Sequence, residues 1–142
     1  MQNSTTLEQK PFLGASGKSK ITVIQPNFLT LNQHTALELE HTVESCLSLK
    51  TTSKITLLVD MQNVKSIDSE GLMRLLSILK MAIASKTSFV LCSLQTQVRL
   101  IFEISKMDQT FAIFDNYEAL VAHIEMKVEL DSYNSEKMLA SA

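Results

Sequence analysis

The sequence predicts one α/β domain with parallel crossovers, and three observations carry that expectation. Ile55, Thr56, Leu57, Leu58 and Val59 form a short apolar, β-branched run suited to a strand buried on both faces. After Asp60, the turn Asp68-Ser69-Glu70-Gly71 leads into Leu72, Leu75, Leu76, Leu79 and Ile83, which recur at helical spacing. The rest of the chain repeats this alternation of strand-like and helical stretches, the pattern of a parallel sheet. A chain of 142 residues with 45% hydrophobic content is long enough to bury one ordinary core without disulfide or metal.

In chain order, Met1 to Lys20 is mixed. Thr6 to Phe12 has strand character, whereas Gly14, Ser16, Gly17 and Ser19 read as a flexible connection, so residues 1–20 form an N-terminal arm or an extra edge strand. Ile21 to Ile24 is a better strand. Phe28 to Leu31 is expected to continue it after a turn at Pro26-Asn27 as a hairpin-like or bulged pair, with Pro26 at an edge. Asn32 then caps an amphipathic helix reaching about Lys50, and Thr51, Thr52 and Ser53 break the pattern. The central strand and the helix Ser69 to Ala84 follow. Phe89 to Leu91 predicts a strand, Gln95 to Ile104 a short helix, and Phe111 to Phe114 another strand. Asp115 or Asn116 caps a last helix carrying Ala119, Leu120 and Ile124, and residues 131–142 read as a flexible tail.

Composition removes several function classes. A formal charge of −2 and no basic stripe with interleaved aromatics argue against nucleic acid. No apolar run approaches the ~20 residues of a membrane span, and the N-terminus lacks a secretion signal, so a cytoplasmic, membrane-free protein is expected. Cys46 and Cys92 read as free, partly buried thiols. His34, His41 and His123 follow no ligand spacing and Ser69 lacks a nucleophile-elbow context, so neither an enzyme, a metal site nor a cofactor is expected.

The acidic set Asp60, Asp68 and Glu70 is the richest feature. If Asp60 ends the central strand and Asp68 opens the next helix, all three gather at the carboxyl edge of the sheet, where open α/β sheets place their sites. A structural account competes with this: Asp68 or Ser69 caps the helix and Glu70 favours its dipole. Gly71 permits close approach of a partner or of the preceding loop. Met73, Met81 and Met107 read as core or rim fillers, or as an adaptable contact patch.

Four stretches together resemble the STAS domain, specifically the stand-alone anti-sigma-factor antagonists of bacteria. They are ITVIQPNFLTLN, LLVDMQNVKSIDSEGLMRLLSILK, FVLCSL and QVRLIFEISKMDQTFAIFDNYEAL, the last with a VR-x-x-FE-x-S-x-x-D run. The resemblance covers residues 21–130. It implies a mixed four- to five-stranded sheet with helices mainly on one face, and a non-enzymatic domain that binds a GHKL-type serine kinase acting as anti-sigma factor. In such systems the kinase phosphorylates a serine at the start of the helix after the central strand, a PP2C-type phosphatase removes the group, and phosphorylation releases the partner. Added charge at a packed contact makes that release physically reasonable.

The sequence departs from this pattern at the switch. The family turn commonly reads Asp-Ser-Ser-Gly or Asp-Ser-Thr-Gly, and Glu70 stands where phosphate is accepted. Ser69 matches the preceding serine. Asn32 stands where the family often has Asp, and Lys106 where it often has glycine. Three explanations follow: Glu70 imitates phosphoserine permanently, Ser69 has become the acceptor, or the surface serves another partner without phosphorylation. Phosphorylation-independent binding ranks slightly first. The expected contact surface is Asp68, Ser69, Glu70, Gly71, Met73, Arg74 and Asn32, with Asp60 beneath. The rival readings are a scaffold module that self-associates, for instance as a homodimer, and a nucleotide-responsive module.

Overall fold

A computed structural model describes residues 5–12, 19–48 and 54–140. The expected flexible connection at Gly14 to Gly17, the break at Thr51 to Ser53 and the extreme termini lie outside the described residues. The strands are β1 (Thr5–Phe12), β2 (Ser19–Pro26), β3 (Thr30–Leu31), β4 (Lys54–Asp60), β5 (Ser66–Ile67), β6 (Ser88–Cys92) and β7 (Ala112–Phe114). The helices are α1 (Gln33–Leu47), α2 (Ser69–Ala84), α3 (Thr96–Ile104) and α4 (Tyr117–Ala140), with a short 3-10 turn at Met107–Gln109.

The main sheet has the order β1-β2-β4-β6-β7. β2, β4, β6 and β7 run parallel, and β1 is antiparallel to β2 at one edge. Alternation along the strands divides the apolar side chains between two faces. Ile24, Leu57, Val59, Phe89 and Leu91 pack with buried residues of α1, α2 and α3 to form the main core. Ile21, Leu58, Val90 and Cys92 turn the other way and are covered by Leu120, with Val121 and Ile124 alongside, so α4 covers the opposite face. The sheet is therefore mixed, with three of the four helices on one face.

Local chemistry explains the helix limits. The Asn32 carboxamide accepts the Thr35 N–H at 3.0 Å while the Thr35 hydroxyl accepts the Asn32 N–H at 2.9 Å, a reciprocal cap that starts α1. Asp68 starts α2 by accepting the Gly71 N–H at 2.8 Å. That helix ends with Lys86 in the left-handed region (φ 57°), Lys86 N–H on the Ile83 carbonyl and Thr87 N–H on the Ala82 carbonyl. This is a Schellman stop built on lysine instead of glycine.

Two sequence expectations are corrected. Thr30–Leu31 does not continue β2 as a hairpin. It forms a separate two-stranded parallel sheet with Ser66–Ile67, joined by a 2.9 Å contact between the Thr30 and Ser66 hydroxyls. A hairpin partner would have to lie beside β2, and both of its edges are already taken by β1 and β4. Pro26 accordingly sits at the end of β2, beyond its register with β4, where no N–H is needed from it. The second correction concerns the tail: α4 continues through residues 131–140 instead of dissolving near Asp131. No glycine or proline follows Tyr117, and Glu, Lys, Met, Leu and Ala are favourable helix residues. Residues 1–20, expected as an arm or an edge strand, include the edge strand β1.

Candidate functional site

The start of α2 lies against the junction of β3 and α1. The Leu31 carbonyl accepts the Asp68 N–H at 3.2 Å. A β-carbon on Gly71 would lie only 2.1 Å from that same carbonyl oxygen and 3.2 Å from the Asn32 nitrogen. Gly71 is helical, so the demand here is for space and not for unusual dihedrals. The close approach is made by the chain itself, and it sets the beginnings of α1 and α2 side by side.

Two shallow depressions open between those helix starts. One, of about 290 Å³, is lined by Gln33, Ser69, Glu70, Met73 and Arg74. The other, of about 490 Å³, has Asn32, Gln33, His34, Leu37, Asp68, Glu70 and Arg74 on its walls. Glu70 and Arg74 belong to both, whereas Ser69 reaches only the first. Ser69 and Glu70 are exposed, and Met73 is 58% exposed. Met73 is thus a surface side chain, whereas Met81 and Met107 pack against the core. The Arg74 guanidinium donates to Glu40 of α1 at 3.2 Å.

The expected site residues Asn32, Asp68, Ser69, Glu70, Gly71, Met73 and Arg74 come together. Asp60 does not join them. It ends β4 on the side of the sheet that α4 covers, accepts from the Gln25 amide at 3.2 Å and takes the Gln62 N–H at 3.1 Å. Strand alternation sends its side chain opposite to Val59, away from α2. Among the described residues no group of three or more His, Cys, Asp or Glu side chains gathers as a metal-ligand set. Asp60 instead contributes to the surroundings of Cys92. Burial pushes that thiol up to about 11, against a lowering hydrogen bond from Ser93, and the negative charges of Asp60 and Glu118 push in the same direction as burial.

Sequence reasoning missed Gln33, His34 and Leu37, the wall contributed by α1, and Glu40, which holds Arg74 beside it. A signal was available. Gln33, Leu37 and Glu40 share one stripe of α1 that avoids the buried Ala36, Leu39, Val43 and Cys46. Leu37 is an apolar residue on this outer stripe, 39% exposed.

The profile of the STAS domain matches residues 21–120, well over half the chain. The chain belongs to the STAS domain family. STAS domains are non-catalytic regulatory modules. Solved structures show the same fold at low identity. A STAS-domain anti-sigma-factor antagonist protein from Planctomyces limnophilus superposes with a TM-score of 0.65 at 15% identity, covering 84% of this chain and 95% of that one. An anti-sigma factor antagonist from Mycobacterium paratuberculosis gives 0.59 at 19% identity, covering 86% and 96%. A sulfate transporter family protein from Wolinella succinogenes gives 0.60 at 15%, covering 77% and 88%. STAS folds thus occur in proteins described as anti-sigma factor antagonists and as members of a sulfate transporter family.

Proposed function

We propose that this STAS protein binds a GHKL-type serine kinase acting as anti-sigma factor, and that it does so without needing its own phosphorylation state to change. The observation that supports this is the exposed Glu70, in the first turn of α2 on the wall shared by both depressions. A carboxylate there presents one permanent charge where the family pattern places a reversible phosphate of nearly two. The docking surface is Gln33, Leu37, Ser69, Glu70 and Met73, which combines apolar contact with polar rims. Arg74 is held by Glu40, so it shapes the groove and is not a loose hook for a partner carboxylate.

Ser69 is the competing acceptor. Successive residues on a helix point about 100° apart, from about 3.6 residues per turn. A phosphate on Ser69 would enter only the depression beside Met73 and leave the His34 side untouched. A PP2C-type phosphatase belongs to the circuit only if that phosphorylation occurs. The test is capture of tagged protein from its own cell extract beside Glu70→Ser and Ser69→Ala, with intact mass read on bound and free pools. The expected result is kinase capture by unmodified wild type, with Glu70→Ser gaining phosphate and releasing the kinase. Stoichiometric phosphate on wild-type Ser69 would overturn phosphorylation independence.

A second reading, self-association as a scaffold, draws on one observation. Met126, Leu130 and Tyr133 are exposed on the outer half of α4, at 70%, 57% and 58%. A mass that rises with concentration in light scattering is the result that favours it, and a constant monomer mass removes it.

A further inference from the structure

A cavity lies at the other end of the parallel strands from Glu70. It has about 520 Å³ and opens to solvent between the sheet, the end of α2 and the first turns of α4. That size falls within the range of about 300–1,000 Å³ typical of small-molecule sites. Thr56 and Ser88, paired in register near the starts of β4 and β6, mark its position. Its walls include Leu79, Phe89, Val90, Phe114, Leu120 and Ile124.

The polar side of the cavity has one sign of charge. Lys86 and Lys127 supply that charge beside the His123 ring, and among the described residues no carboxylate lines the cavity. Lys86 occupies a fixed left-handed position, held by the two backbone hydrogen bonds that stop α2. His123 packs its ring on Phe114 with centroids 5.1 Å apart. The hydroxyl-bearing Thr56, Thr87, Ser88 and Thr110, with Ile83 and Ala112, complete the lining. Apolar walls with a cationic rim complement a molecule with an apolar body and one negative head.

We propose that this cavity is a binding site for a small organic monocarboxylate with an apolar chain or ring, whose carboxylate meets Lys86 and Lys127 while its body lies against Phe89, Phe114 and Ile124. The site is independent of the partner surface at Glu70.

The test titrates the full chain with decanoate, decanol and decyltrimethylammonium, followed by amide NMR shifts and calorimetry. Decanoate is expected to saturate, with a Kd at least about tenfold tighter than either control, and to shift the amides of Thr56, Ser88, Phe114 and Ile124 first. Two exposed ion pairs contribute a few-fold each, so the Lys86→Gln, Lys127→Gln double variant should weaken decanoate about tenfold. Both lysines are exposed, so its thermal midpoint should match wild type. Ala112→Trp, which places an indole on the cavity wall, should abolish binding. No saturable binding, equal affinity for all three probes, or an affinity unchanged in the double variant would each overturn the proposal.

Discussion

Gly71 is the residue on which the site geometry depends most directly. With its missing β-carbon 2.1 Å from the Leu31 oxygen, any side chain must push α2 away from β3. Gly71→Ala is expected to destabilise by about 3 kcal/mol or to prevent folding, since overpacking of a rigid backbone exceeds the ~1 kcal/mol of helix propensity that alanine adds. Urea unfolding checks this. Lys106 is the opposite case. Its φ of 63° lies in the left-handed region, which explains why glycine suits this position in the family pattern. Lys106→Gly should stabilise by roughly 0.5–1 kcal/mol, the relief of left-handed strain less the added freedom of the unfolded chain, read as a higher thermal midpoint. The letters alone identified both positions as departures or matches. What Gly71 touches was hidden, because Leu31 is distant in sequence and comes near only through the pairing of β3 with β5.

At the scale of elements, the helix starts were the most legible parts. Asn32, and either Asp68 or Ser69, read as caps; Asn32 and Asp68 make the side-chain bonds. Asp68→Ala should cost about 1 kcal/mol through loss of that bond, and a urea midpoint measures it. Asp68→Asn, which keeps an accepting oxygen, should recover most of the loss. Short strands were harder. Phe28 to Leu31 has strand character, but its partner is chosen by tertiary geometry, and a two-residue ladder leaves no periodicity to read. The end of α4 failed for a different reason. A polar stretch without an apolar stripe resembles a tail, yet the helical backbone needs only favourable residues and nothing to interrupt them. Asp60 was misplaced relative to the switch because the acidic letters give order along the chain, whereas strand alternation decides which face each one serves.

For the whole molecule, the two-sided sheet gives stability a pH dependence. Cys92 lies in the smaller core, and its thiol is raised from 9.0 to about 11. A raised folded-state value means that the folded protein holds this proton more tightly than the unfolded chain does. The associated stability is therefore complete below pH 9.0 and is lost as pH rises through about 11. Cys92→Ala should flatten this alkaline limb in urea midpoints measured across that window, whatever its effect at neutral pH. Cys46 is raised by burial as well and leaves a residual slope. The α/β class and the STAS resemblance from Ile21 to about Ile124 were readable from the sequence, but the cavity at the far end of the strands was not, since Lys86 follows α2 whereas His123 and Lys127 lie on α4, and only the folded sheet brings the two elements together. One consequence belongs to hydrodynamics. The 24 residues of α4 span about 36 Å, about the full width of a compact chain of this length, whose radius of gyration is about 14 Å. Beyond Ile124 none of its side chains described is buried. A monomer of 15.9 kDa with that half of the helix standing off the sheet would drag more solvent than a sphere of its mass and leave a sizing column early, imitating a dimer. Sedimentation equilibrium, which reads mass without shape, is the measurement on which any claim of self-association should rest.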